Sequence, residues 1–536
     1  MADGKAETAG AAPSSTTVDA ARTSPSSLAQ RGRAGRRGAR ARRTRRTLAL
    51  ALAAAATVVT VVVVALALAG PQGSGQSADA CPGRQGLRVD PGTGGCWGVS
   101  DGSAAFQSSN RALAQVEGVI AEQDREARAD HLLQPRRPLV VLAYLGRLTS
   151  RDDQPNPLVA ERETLEGVAA TQRLYLERST PDAPVVEVLL ANEGADLAHA
   201  TDVVRLLDQR TAPDGPVVGV VGLDQSRQPT ADAIDALGRL GIPTVAAALS
   251  ADSLSGRSSL YFQVAPRNQR EAAVGAAYIA AHTTVRSALV FSSADRSDLY
   301  SENLADDMTA DLRERGFAVT RSQFRPAGLD TGTAQSADEA GRKACAAPGF
   351  VYYSGRAEEF DDFLHRIYVA CGSTPPQILA DDDVSRYVAA PDLRTKYRSI
   401  PFQYASFAIA PATCQTRAQD TFYAILDEIF PSDCATEGAF LDGHAALGYD
   451  AALTMLTAAE SVEGPVTRAA LARALPGVEV GGAASGPVAM GTDGAPVDKL
   501  VAILTIAHGQ PPGVDGACGK GAPRATWCPP PPASVR

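Results

Sequence analysis

Two serines stand at the tips of neighbouring apolar runs. In "PVVGVVGLDQSRQ" (216–228) the run ends on a polar tip carrying Ser226, and "GIPTVAAALS" (241–250) ends on Ser250. A hydroxyl can donate to a carboxylate and accept from an ammonium group. Pro229 suits the first turn of a helix, and the N–H groups of that helix start, together with the Ser226 hydroxyl, suit an anion. Further on, "YSGRAEE" (353–359) and "LADDDVS" (379–385) set Arg356 and Asp381–Asp383 behind two more apolar runs. Neutral hydroxyls on one wall facing acids and an arginine on the other would hold a small zwitterion or polar solute. Plainer roles compete with each of these. The serines suit helix caps and turns, the aspartates a solvated turn, and Arg356 a pairing with Glu359 three residues on.

Enzyme signatures are missing. No G-x-S-x-G elbow, P-loop or H-E-x-x-H occurs, "DPGTGG" lacks the P-loop lysine, and the six histidines are scattered. No catalytic residue, cofactor or metal site is expected. The eight cysteines (Cys81, Cys96, Cys345, Cys371, Cys414, Cys434, Cys518 and Cys528) contain no C-x-x-C, which argues against zinc. Their connectivity is open on sequence alone. The simplest pairing joins neighbours, 81–96, 345–371, 414–434 and 518–528, each loop contributing about 3 kcal/mol.

The elements that must position these residues are strands alternating with amphipathic helices. "PLVVLAYLG", "APVVEVLLAN", "SALVFSS", "GFVYYSG" and "PQILADDD" read as buried strands, and "LVAERETLEGVAATQRLYLER" and "RAEEFDDFLHRIYVA" as helices between them. This pattern predicts parallel sheets covered on both faces, in two α/β lobes. Ligands bind such sheets beyond the carboxyl ends of their strands, which is where both serines fall.

Charge and hydropathy set the frame. Residues 1–47 carry a net charge of +8 and the remainder −17, so the main body has no basic face for nucleic acid. Residues 48–69 hold no charge and as a helix span about 33 Å, enough for a bilayer core. The basic cluster before them places the N-terminus in the cytoplasm and the main body outside, as a single-pass protein of the cell membrane. A cleaved signal ending at Ala67-Leu68-Ala69 is the alternative. The expected organisation is a disordered tail (1–47), an anchor (48–69), a linker with a Cys-bounded preface and helix (70–137), two lobes with a late crossover (138–508), and a Pro-rich tail (509–536). Lobe one spans about 138–265 and 438–480, lobe two 266–437, and the crossover 481–508.

Residues 138–508 resemble the type I periplasmic binding proteins, in the leucine/isoleucine/valine-binding branch of ABC-transporter solute receptors. The resemblance rests on "VVGVVGLDQSRQPTADAIDALGRLGIPTVAAALSADSL", "YFQVAPRNQREAAVGAAYI", "SALVFSSADRSDLYSENLADDM", "GHAALGYDAALTMLTAAE" and "SGPVAMGTDGAPVD". It implies two hinged lobes closing on an amino-acid-like solute, with an ABC permease as partner. Ser226 would meet the carboxylate. Ser250, the Ala248 backbone and Asp382 would meet the ammonium, with Asp381 and Asp383 as one-residue slips. Tyr300 stands where a Tyr-Gly pair is usual. Arg356 replaces an aromatic, and the charged loop 145–157 replaces a Gly-rich turn. Both departures argue against a branched aliphatic ligand, towards a more polar or anionic one, or towards a cleft without cargo. The alternative function is a membrane-tethered sensor or partner-binding scaffold. The preface "GCWGVSDGS" resembles that of a group of actinobacterial membrane proteins.

Overall fold

The computed structural model describes Cys81 and residues 86–530, apart from 151–157, 179, 181, 210, 213–214, 224, 327–334, 373, 412–413 and 418–419. The basic segment 1–47, the apolar segment 48–69 and the linker 70–80 lie outside the described residues. Among the described residues, no helix is long and apolar enough to cross a membrane.

Lobe one is built on β1 (Leu87–Val89), β2 (Cys96–Ser100), β3 (Leu139–Gly146) and β4 (Val185–Asn192). After a small hairpin, β5 (Thr211–Ala212) and β6 (Gly215–Pro216), come β7 (Gly219–Gly222), β8 (Thr244–Ala246) and β9 (Tyr261–Gln263). The sheet order is β1-β2-β4-β3-β7-β8-β9. From β4 to β9 the strands run parallel. Alternate residues explain the unbroken apolar runs. Leu142 and Tyr144 face one core, while Val141, Ala143 and Leu145 face another on the opposite side of the sheet. The preface does more than pack on the sheet, because β1 and β2 extend it antiparallel along β4. Its helix, Arg111–Leu133, is capped by Asn110, whose side chain accepts from Leu113 N.

Lobe two repeats the plan with β10 (Ser287–Ser293), β11 (Ala318–Arg325), β12 (Gln335–Ser336), β13 (Phe350–Ser354), β14 (Ile378–Ala380) and β15 (Phe402–Ser406). A hairpin of β16 (Glu479–Val480) and β17 (Val488–Ala489) precedes β18 (Val501–Ile506) and β19 (Gly513–Cys518). The order is β12-β11-β10-β13-β14-β15-β18-β19. The parallel strands of lobe one therefore follow the order 2-1-3-4-5 and those of lobe two 3-2-1-4-5-6, both orders of doubly wound sheets. Two expectations are corrected here. The late crossover 481–508 ends in β18, and the segment 509–536 is no simple tail, because β19 forms the antiparallel edge of lobe two.

The chain passes between the lobes three times, near 264–267, 407–420 and 481–500. At the third passage, Asp450 accepts from Ala484 N at 2.6 Å and Ser485 N at 3.0 Å. Lys499 Nζ lies 3.5 Å from Asp450 Oδ2 and donates to Gly486 O at 2.6 Å. Both charged side chains are fully buried. Helices Val159–Glu177 and His444–Glu460 cross where two glycines meet the opposing backbone. A Cβ on Gly167 would stand 2.0 Å from Ala445 O, and one on Gly448 would stand 2.1 Å from Thr164 O.

All eight cysteines pair with their neighbours: Cys81–Cys96, Cys345–Cys371, Cys414–Cys434 and Cys518–Cys528. The second ties the ends of helices Ala337–Cys345 and Ala357–Ala370, and the last folds the C-terminal segment back onto β19.

Candidate functional site

The carboxyl ends of the parallel strands of both lobes converge on one cavity. Ser226 follows β7, Ala248 and Ser250 follow β8, Tyr300 ends the loop after β10, Arg356 follows β13, and Asp382 follows β14. All six line it, together with Asp383, Ser385, Phe407, Asp442, His444 and Leu447. The slip alternative Asp381 is fully buried behind the wall, its Oδ2 accepting from Gly355 N at 2.7 Å. Residues 151–157 of the charged first loop lie outside the described residues. The cavity volume is about 20 Å³, the room of one or two water molecules. The lobes touch directly around it. Leu299 N donates to Ser226 O at 3.0 Å, Gln228 N to Ser297 O at 3.0 Å, and Asp252 N to Asn303 Oδ1 at 2.9 Å. Arg227 pairs with Asp295 across the seam at 3.0 Å.

The lobe-one wall departs from the anion site expected at the helix start. Gln228 N is taken by Ser297, and Arg227 N donates to Gln225 O. Ser226 Oγ accepts from Ser250 N at 3.2 Å and Ala251 N at 3.4 Å, so the serine stitches the ends of β7 and β8 together. Its own proton is left to donate.

On lobe two, the Arg356 guanidinium pairs with two aspartates rather than with Glu359. Its Nε and Nη2 form a forked pair with Asp298 at 2.9 and 2.5 Å, and Nη1 reaches Asp383 at 3.3 Å. The guanidinium lies 4.7 Å from the centre of the Tyr300 ring. Burial works against its charge, but Asp298 and Asp383 outweigh it and hold the group firmly protonated. Tyr300 Oη donates to Asp382 Oδ1 at 2.6 Å, and Asp382 N donates to Glu271 Oε1 at 3.2 Å. Burial pushes the Asp382 carboxyl up to about 6, against the Tyr300 hydrogen bond. Burial, then the Asp382 and Asp381 charges, carries Glu271 well above the usual carboxylate range.

Sequence reasoning did not single out Asp442 and His444. They flank Gly443, whose φ of 81° opens the helix His444–Glu460. His444 Nδ1 lies 3.2 Å from Asp442 Oδ2. Burial alone would raise Asp442, yet His444 holds it below the usual range. A D-x-H immediately before a long apolar helix was the available signal. Among the described residues, no group of His, Cys, Asp and Glu is arranged to hold a metal ion.

No protein-family model and no curated protein sequence matches the chain. Solved structures do. A leucine-binding protein from Thermotoga maritima superposes with a TM-score of 0.56 at 19% identity, over 71% of this chain and 99% of its own. A branched-chain amino acid transporter substrate-binding protein from Streptococcus pneumoniae, in complex with isoleucine, gives 0.53 at 15% identity, over 71% and 98%. An ABC-transporter solute-binding protein from Rhodopseudomonas palustris, in complex with p-hydroxybenzoic acid, gives 0.56 at 14% identity, over 72% and 98%. With two doubly wound sheets joined by three crossings and this superposition, the chain has the two-lobed α/β fold of the type I periplasmic binding proteins.

Proposed function

We propose that the chain is an extracytoplasmic solute receptor that captures a small polar solute of amino-acid size between its lobes and delivers it to an ABC permease. One observation carries the reading: residues from four separate strand ends, two on each lobe, meet with Tyr300 in one polar cavity at the hinge. The solute-binding proteins of like fold support it, since their ligands span amino acids and an aromatic acid. The four disulfides suit an oxidising compartment outside the cytoplasm. The apolar segment 48–69 would tether the receptor to the cell membrane.

A second reading is a tethered sensor or partner-binding scaffold with no cargo. The small cavity and the direct lobe-to-lobe hydrogen bonds favour it.

Thermal melts of the full chain against amino acids, amines, organic acids and sugars separate the two. A solute at 100 times its dissociation constant stabilises the folded state by about 2.7 kcal/mol, a visible shift. A shift with one chemical class is the expected result, and a flat response across the panel rejects the receptor reading.

A further inference from the structure

The charged first loop has a use that needs no solute contact. Arg147, the first residue after β3, sends Nε and Nη2 to one oxygen of Glu161, at 2.9 and 2.5 Å. Glu161 stands in the first turn of helix Val159–Glu177, and its side chain is 1% exposed. Its other oxygen, Oε2, is buried and accepts no hydrogen bond. Arg386 of lobe two faces that oxygen. It sits in the short helix Ser385–Ala389, with Nη2 3.9 Å from Glu161 Oε2 and Nη1 3.7 Å from both Glu358 Oε1 and Asp383 Oδ1. None of these contacts is short enough for a hydrogen bond. The arginine is held by charge, shared between one carboxylate of lobe one and two of lobe two.

The three partners are not equal. Asp383 already has Arg356. The Glu358 side chain is 57% exposed, and an ion pair in water contributes little. Glu161 is dry, so its attraction is screened least. Burial works against the charge of Arg386, but Glu358, Asp383, Glu161 and Asp442 outweigh it, and the last two belong to lobe one. Burial also works against the charge of Glu161, yet Arg147 and then Arg386 hold it below the usual carboxylate range. Parting the lobes would take the second cation from a buried carboxylate. The same short helix touches lobe one beside the cavity, where the Ser385 hydroxyl donates to Asp442 O at 3.2 Å.

We propose that Arg386 is an ionic latch between the lobes: through Glu161 it holds the cleft shut and sets how readily the cavity opens to solvent. No solute takes part in the latch, so it goes beyond the receptor reading and can fail while that reading stands.

The test is amide hydrogen exchange of the full chain, read by mass spectrometry. The reporters are the Gln228 and Leu299 amides, which donate across the seam to Ser297 O and Ser226 O. Strand β4, inside lobe one, is the reference. Arg386→Gln should speed exchange at both reporters at least tenfold and leave β4 unchanged. Arg386→Lys keeps the charge and should stay within threefold of the parent, because the latch has no hydrogen bond to lose. Glu161→Gln keeps an oxygen for Arg147 and should match Arg386→Gln, and the double variant should be no faster than either single one. Unchanged reporters in either single variant, or equal acceleration by Arg386→Lys, overturn the proposal. So does a double variant whose two effects add, or an acceleration that spreads to β4.

Discussion

Tyr300 and Asp382 are joined by a 2.6 Å hydrogen bond that ties the start of helix Ser301–Glu314 to the end of β14. The bond favours the ionised carboxylate of a residue that burial pushes up to about 6. Tyr300→Phe removes the donor. The expected outcome is a loss of about 2 kcal/mol in urea melts, since the acceptor is charged. Carboxyl carbon NMR should show Asp382 titrating at higher pH than in the parent.

Stability should rise as the solution is made mildly acidic. Burial pushes Glu117 up to about 8 from 4.5, and burial with Asp252 pushes Asp307 up to about 8 from 3.8. Folding therefore takes up protons at these groups. Their contribution is complete below the unfolded values and is lost as pH climbs through about 8. Asp442 acts oppositely: its depressed value gives stability above about 3.8 that disappears in stronger acid. Urea midpoints should increase from pH 8.5 to pH 5.5 and fall again below pH 4.

The crossing of helices Val159–Glu177 and His444–Glu460 leaves no room for a methyl group at either glycine. Gly167→Ala and Gly448→Ala should each cost about 3 kcal/mol by overpacking, despite the higher helix propensity of alanine. Thermal melts of the two variants check this, and an unchanged midpoint would mean that the helices separate freely.

The Asp450–Lys499 pair has no access to water. Lys499→Ala leaves a buried carboxylate whose cation is gone and should cost about 3–5 kcal/mol. Replacing both residues by apolar ones of similar volume should restore much of the loss. A double-mutant cycle measures the coupling.

The alternation of the fold was legible because strands buried on both faces leave uninterrupted apolar runs, as "LVVLAYLG" does. The positions of Ser226, Ser250 and Asp382 followed from one rule, that parallel sheets present their carboxyl-end loops together. What those side chains do was less legible. Arg356 finds Asp298, 58 residues away, and no local pattern announces that pairing. Ser226 spends its lone pairs on the next strand's N–H groups, a use invisible before the strands are adjacent. β19 escaped because an edge strand of half-exposed residues has neither a long apolar run nor strict alternation. β1 was missed for the same reason.

The three crossings have a consequence for biogenesis. Lobe one lacks the helix His444–Glu460 until the chain has advanced past residue 460, and lobe two lacks its last two strands until residue 518. Neither lobe can ripen alone on the growing polypeptide while the other waits. Most of the chain must be present before either core closes, so the two lobes mature together rather than in the order of synthesis.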